Sequence, residues 1–208
     1  MRLELFLAVI NSRDLRVLEQ LGRKLNILVS AGHFCDGYRL RFPSIKFRRP
    51  WVKFLMVDSG AQQFSKFTEY PYTTEYYVYF CNYVRADLAV SLDYPIDMFE
   101  WRGLEYDYRD LLRKTVENAI ELYEFWENDV LKATPVLVIQ GLEDEWFEEC
   151  IDLYDEVGLL KKHKYWGIGS LCMSQYARAK KIIRVARMVR RRLGPDAHIH
   201  VFGPDMSS

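Results

Sequence analysis

Residues 52–60 read VKFLMVDSG, an almost unbroken apolar run that stops on an aspartate and a glycine. A strand with water on one face alternates apolar and polar residues. A run this continuous predicts a strand covered on both faces, as in a parallel sheet flanked by helices. The same form recurs along the chain. Strands are expected at residues 3–10, 25–30, 52–57, 88–92, 136–139, 165–168 and 199–202. Helices are expected at 12–25, 73–85, 108–131, 143–158 and 173–193, where apolar residues return every three or four positions. In the last of these, Ala179, Ile182, Ile183, Ala186 and Val189 form the expected inward stripe. Asn11 and Ser12 suit the start of the first helix, and Gly194-Pro195 the end of the last. Alternating β and α units predict an α/β fold, either a doubly wound open sheet or a barrel. The 208 residues are read as one domain, residues 1–208.

One connection departs from this pattern. Residues 31–51, AGHFCDGYRLRFPSIKFRRPW, show no helical period. A structureless loop of that length usually has a function. Its Arg39, Arg41, Lys46, Arg48 and Arg49 alternate with Tyr38, Phe42, Phe47 and Trp51, a mixture suited to following a phosphate backbone while stacking on bases. Residues 173–193 are also basic and could neutralise phosphates or form a solvated outer face. The 29 basic and 29 acidic side chains balance, so any nucleic-acid signal has to be local. Cys35, Cys81, Cys150 and Cys172 stand far apart, which argues against a clustered-cysteine zinc site and for thiols in a reducing, cytoplasmic setting. The four histidines are likewise dispersed. No signal peptide or membrane-spanning segment is expected.

Polar residues gather just after the apolar strands: Asp58-Ser59-Gly60, Asp93, Gln140-Gly141, Gly169-Ser170 and Gly203. An aspartate there can simply cap the next helix. Repetition over several strands instead suggests the mouth of a parallel barrel, where active sites form.

These segments carry a resemblance. VDSGAQQF (57–64), LAVSLDYP (88–95), VIQG (138–141), YWGIGSL (165–171) and HVFGPD (200–205) resemble, in order, strand ends of the tRNA-guanine transglycosylase superfamily, nearest its DNA-directed, DpdA-like branch. The resemblance implies a (β/α)8 TIM-type barrel, here truncated to about seven strands. It implies exchange of guanine in DNA or tRNA for a 7-deazaguanine-type base, with no cofactor and no metal. Asp58 would be the catalytic acid/base that protonates the leaving base. Asp93 and Gln140 would bond the base edge, and the Gly169 amide with Ser170 would hold its carbonyl. Ser59, Gly60 and Gln63 would complete the substrate-binding set, with Gly60 allowing close backbone approach. Arg39, Arg41, Arg48 and Arg49 are the candidate nucleic-acid contacts.

The chain departs from the family pattern in several places. Ala61 and Gln62 replace a glycine and a stacking aromatic. Ser170 replaces a second glycine. The family nucleophile lies on an eighth strand, beyond the segment matching HVFGPD, and the zinc cluster has no counterpart. Asp205 lies before that strand and does not take the nucleophile's role. A catalytically degenerate barrel that binds a deazapurine or nucleic acid is therefore an alternative. So are a barrel completed by a partner chain or a second copy, and an unrelated small-molecule barrel enzyme.

Overall fold

A computed structural model describes residues 5–37, 39–64, 69–171 and 178–203. In chain order the elements begin with β1 (Phe6–Ala8), α1 (Ser12–Glu19) and β2 (Leu25–Ser30). A 3-10 turn at Ala31–Phe34 and a small hairpin of β3 (Cys35–Asp36) and β4 (Arg39–Leu40) come next, before β5 (Val52–Asp58), α2 (Ala61–Phe64), α3 (Thr74–Val84) and β6 (Leu88–Val90). The chain continues with α4 (Ile96–Trp101), α5 (Tyr108–Glu127), β7 (Thr134–Ile139), α6 (Asp144–Glu156), α7 (Leu159–Lys162), β8 (Tyr165–Ile168), α8 (Arg178–Leu193) and β9 (His198–Val201). Two compact units divide it: residues 1–90 with 121–135, and residues 91–120 with 136–208.

In the first unit, β1, β2, β5 and β6 lie side by side in that order, each parallel to its neighbour. Ile27, Val29, Leu55 and Val57 are wholly buried. Helix α3 supplies Tyr77, Val78, Phe80 and Cys81 from one face. Thr134, which belongs to this unit, donates its N–H to the carbonyl of Asp87.

In the second unit, β7, β8 and β9 are parallel neighbours, with Val138 opposite Gly167 and Gly167 opposite His200. Ser91 donates its N–H to the Val136 carbonyl, and its hydroxyl accepts from the Val138 amide. Phe147, Cys150, Ile151 and Tyr154 of α6 are buried at a helical spacing of three and four. The chain is thus a mixed α/β protein with parallel strands and intervening helices.

Several expectations change in detail. Helix α1 ends at Glu19 rather than 25, because Gly22 turns left-handed at φ 62° and its N–H closes on the Glu19 carbonyl. Asn11 caps this helix in a reciprocal capping box with Asp14. The inward stripe of α8 is Val185, Met188 and Val189. Of the expected stripe, Val189 is buried, while Ala179 and Ile183 are exposed. Residues 31–51 are not structureless: they hold the 3-10 turn and the hairpin, and Phe47 is buried. Helices α2, α4 and α7 have no sequence expectation behind them; at four to six residues they are too short for a period to register. Residues 3 and 4 of the first expected strand lie outside the described residues, as do Tyr38, Cys172 and Asp205.

Candidate functional site

The first unit places Asp58 as the last residue of β5. The register sets Ser30, the last residue of β2, directly beside it. The carboxylate accepts hydrogen bonds from the Ser30 hydroxyl and from the Ser59 and Gly60 amides, and His33 adds a favourable field. Burial nevertheless dominates and pushes the Asp58 carboxyl above the usual carboxylate range. Ser30 Oγ also lies 3.4 Å from the Gln63 side chain. The Gln63 atom facing it is Oε1, an acceptor, so Asp58 and Gln63 share the one Ser30 proton.

The turn beyond Asp58 is tightly held. Gly60 has φ 83°, and a Cβ on it would come within 2.6 Å of the Gly32 backbone. The close approach that Gly60 permits is therefore to Gly32 of the 3-10 turn. Ser59 is fully buried, its hydroxyl 3.1 Å from the Tyr70 hydroxyl, and its carbonyl accepts from Tyr72. Tyr77 donates to the Val57 carbonyl at 2.8 Å. Three tyrosines thus fasten the strand end that carries the carboxyl. Sequence reading passed over Ser30, although LNILVS ends on a polar residue just as FLMVD does.

The second unit holds Asp93, Gln140, Gly169 and Ser170. Gln140 and Gly169 each follow the last residue of their strands, β7 and β8. The Ile96 amide donates to Ser170 Oγ at 3.0 Å, the Ser170 hydroxyl donates to Gln140 Oε1, and Gln140 Nε2 donates to Asp93 Oδ2. This chain fixes the orientation of the Gln140 amide, since the flipped form would set its carbonyl against a carboxylate. Gln140 is fully buried, Ser170 nearly so, and Asp93 is 7% exposed.

Gly169 has no room for a side chain, because a Cβ there would sit 2.3 Å from Gln140 Nε2. Ser170 adopts φ 52°, an uncommon conformation for a residue with a side chain, at the link between Ile96 and Gln140. Behind the site, the Gln140 backbone N–H donates to Cys150 Sγ at 3.4 Å. Burial pushes that thiol up to about 12, so it stays protonated at neutral pH. Neither Cys150 nor the Ile96 amide carries a strand-end signature, and both were missed in the sequence.

The basic segments divide. In residues 31–51, Arg41 pairs with Asp36 and Arg48 with Asp87. Arg39 and Arg49 are exposed and have no side-chain partner among the described residues. In α8, Arg192 bridges Glu148 and Asp152 of α6, Arg184 pairs with Asp144 at 3.0 Å, and Arg190 donates to the Gly194 carbonyl at 3.2 Å. Two cations of that face, Arg184 and Arg192, thus join α8 to the acidic α6. Among the described residues no group of three His, Cys, Asp or Glu stands ready to hold a metal ion, and no helix is long and apolar enough to cross a membrane.

Comparison with models of known protein families finds no match, and comparison with functionally characterised proteins finds none either.

Proposed function

We propose that this protein is a transglycosylase-like base-binding protein that takes a guanine or 7-deazaguanine-type base at the Asp93–Gln140–Ser170 chain. Base exchange in DNA or tRNA is the activity. The observation that carries the reading is that hydrogen-bond chain. It holds a shielded carboxylate in one orientation, and the adjacent N1–H and N2–H2 donors of a guanine edge suit such an acceptor. The Gly169 N–H, which the resemblance gives to the base carbonyl, donates to the Ile139 carbonyl at 3.0 Å, so that base carbonyl takes a different donor. The (β/α)8 barrel is the fold that goes with this reading.

Asp58 fits the acid role that the resemblance gives it. A carboxyl with a raised pKa retains a proton at higher pH and can pass it to a departing base. Covalent exchange also requires a nucleophile at the anomeric carbon. The resemblance assigns both Asp58 and Asp93 to the base, so that nucleophile is a further group, from this chain, a second copy or a partner chain. A role in base binding alone needs only the chain of the second unit, and this is the second reading.

The test is calorimetric titration of guanine and 7-deazaguanine into the wild type and Asp93→Ala. Removal of the acceptor leaves base donors unpaired and should weaken binding by about 1–3 kcal/mol. Equal affinities would dismiss the site. A denaturation-resistant adduct with substrate nucleic acid would favour exchange over binding.

A further inference from the structure

The outer face of α3 is built differently from its inner one. Tyr76, Tyr79 and Tyr83 recur at spacings of three and four and are 52%, 50% and 56% exposed. Tyrosine hydroxyls tolerate water, but three large rings in a row on one helix leave a sizeable apolar surface uncovered. A fourth ring extends it. Phe42, 46% exposed, packs on Tyr83 with centroids 4.9 Å apart.

The same contacts bring positive charge to this face. Phe42 follows β4, and β4 itself packs on α3. Phe34 touches both Phe47 and Phe80, which fastens the rest of the connection to the inner side of α3. The Arg48–Asp87 pair then ties the end of the connection beside the C-terminus of α3. Arg85, the left-handed cap of that helix, is two residues from Tyr83. Asp36 and Asp87 offset Arg41 and Arg48. Arg39, Lys46, Arg49 and Arg85 are exposed, with no side-chain partner among the described residues. These cations thus lie on segments fastened to α3 or on its cap, and the one carboxylate bonded to the rings among the described residues is Glu75, which accepts from the Tyr79 hydroxyl at 3.1 Å.

We infer that this surface binds single-stranded nucleic acid, with bases stacked on Tyr76, Tyr79, Tyr83 and Phe42 and phosphates met by Arg39, Arg49 and Arg85. Rings offer a face to any unpaired base, and guanidinium groups follow the backbone without reading sequence. A duplex keeps its bases stacked inside and cannot use the rings. The inference deepens the nucleic-acid side of the proposed function and rests on that reading for its biological sense. Its residues are separate from Asp93, Gln140 and Ser170.

The experiment is fluorescence anisotropy with a labelled mixed-sequence single-stranded oligonucleotide of about 12 nucleotides, read over a range of salt concentrations. Replacing Tyr76, Tyr79 and Tyr83 together by serine should weaken binding at least about tenfold while the salt slope stays as in the wild type. The triple phenylalanine variant keeps the rings and should bind like the wild type. Arg39→Gln with Arg49→Gln should instead flatten the slope by roughly 1.4. Wild-type strength in the serine variant would overturn the inference. So would tighter binding of the duplex, or equal binding of poly-glutamate, which would point to an anionic peptide. If the serine variant does not fold, the salt slope of the arginine variant and the preference for single strand over duplex decide the matter. Free-base titration on the same samples separates the two proposals. Base binding without oligonucleotide binding removes only this surface, and the reverse removes only the Asp93 site.

Discussion

Gly169→Ala is the most informative single change in the second unit. It adds one methyl group, and the backbone at Gly169 is not in the left-handed region, so the change carries no conformational strain of its own. The added Cβ would lie 2.3 Å from Gln140 Nε2, 2.6 Å from Cδ and 2.7 Å from Oε1. Gln140 cannot swing aside cheaply. It is fully buried and bonded at one end to Asp93 and at the other to Ser170. Overpacking of this kind costs about 1–3 kcal/mol. Expelling the amide also breaks a charge-assisted hydrogen bond to Asp93, worth roughly 1.5–3 kcal/mol. The expected loss is therefore about 2.5–6 kcal/mol, a large part of the stability of an ordinary domain. Urea unfolding followed by tryptophan fluorescence reads it, with Trp166 three residues away in β8 as a local reporter. The control is Gln140→Ala. That variant leaves Asp93 without its amide and is costly alone, but it empties the space that the new methyl group needs. Adding Gly169→Ala to it should cost less than about 1 kcal/mol, so the two changes should be strongly non-additive. Additive losses, or a neutral Gly169→Ala in the wild-type background, would show that Gln140 is not held as described.

Two further predictions concern pH. The folded pKa of Asp58 is raised, so its favourable contribution is complete below the unfolded value of 3.8 and is lost as pH rises through the folded value. Asp58→Asn should therefore raise Tm at neutral pH, with the gain shrinking as pH falls through the folded value and gone below 3.8; a lower Tm at neutral pH would contradict the burial argument. Burial lowers the pKa of His200 from 6.5 to about 4, so the neutral ring is favoured in the fold. Its contribution is present above 6.5 and lost as pH falls toward 4, in total about 3 kcal/mol. His200→Gln should remove that part of the pH dependence of urea unfolding, and an unchanged profile between pH 7 and 4 would assign it to other groups.

The strand ends were legible because their signal is local. An apolar run that stops on a polar residue, as in FLMVD, VLVIQ and YWGIG, needs only the chemistry of neighbours along the chain. Hence Asp58, Gln140 and Gly169 fall where the sequence puts them, at or just after the last strand residue. Helix lengths were less legible. Helix α1 stops early because a glycine takes a left-handed turn, and the inward face of α8 is set by Val185, Met188 and Val189, of which the expected stripe held only Val189.

What the sequence alone determined is the alternation of buried parallel strands with amphipathic helices and the polar chemistry at their ends. Both are written in spacings of a few residues. The tertiary structure decided which of those groups meet. Ser30 reaches Asp58 only because β2 and β5 pair in that register. Gln140 joins Asp93 and Ser170 across separations of 47 and 30 residues. It also decided which charges remain available: Arg184 and Arg192 are taken by α6, while Arg39 and Arg49 find no acid in reach among the described residues. Hydrogen bonds and ion pairs act over a few ångströms of space, and distance along a chain carries no measure of that until the fold has closed.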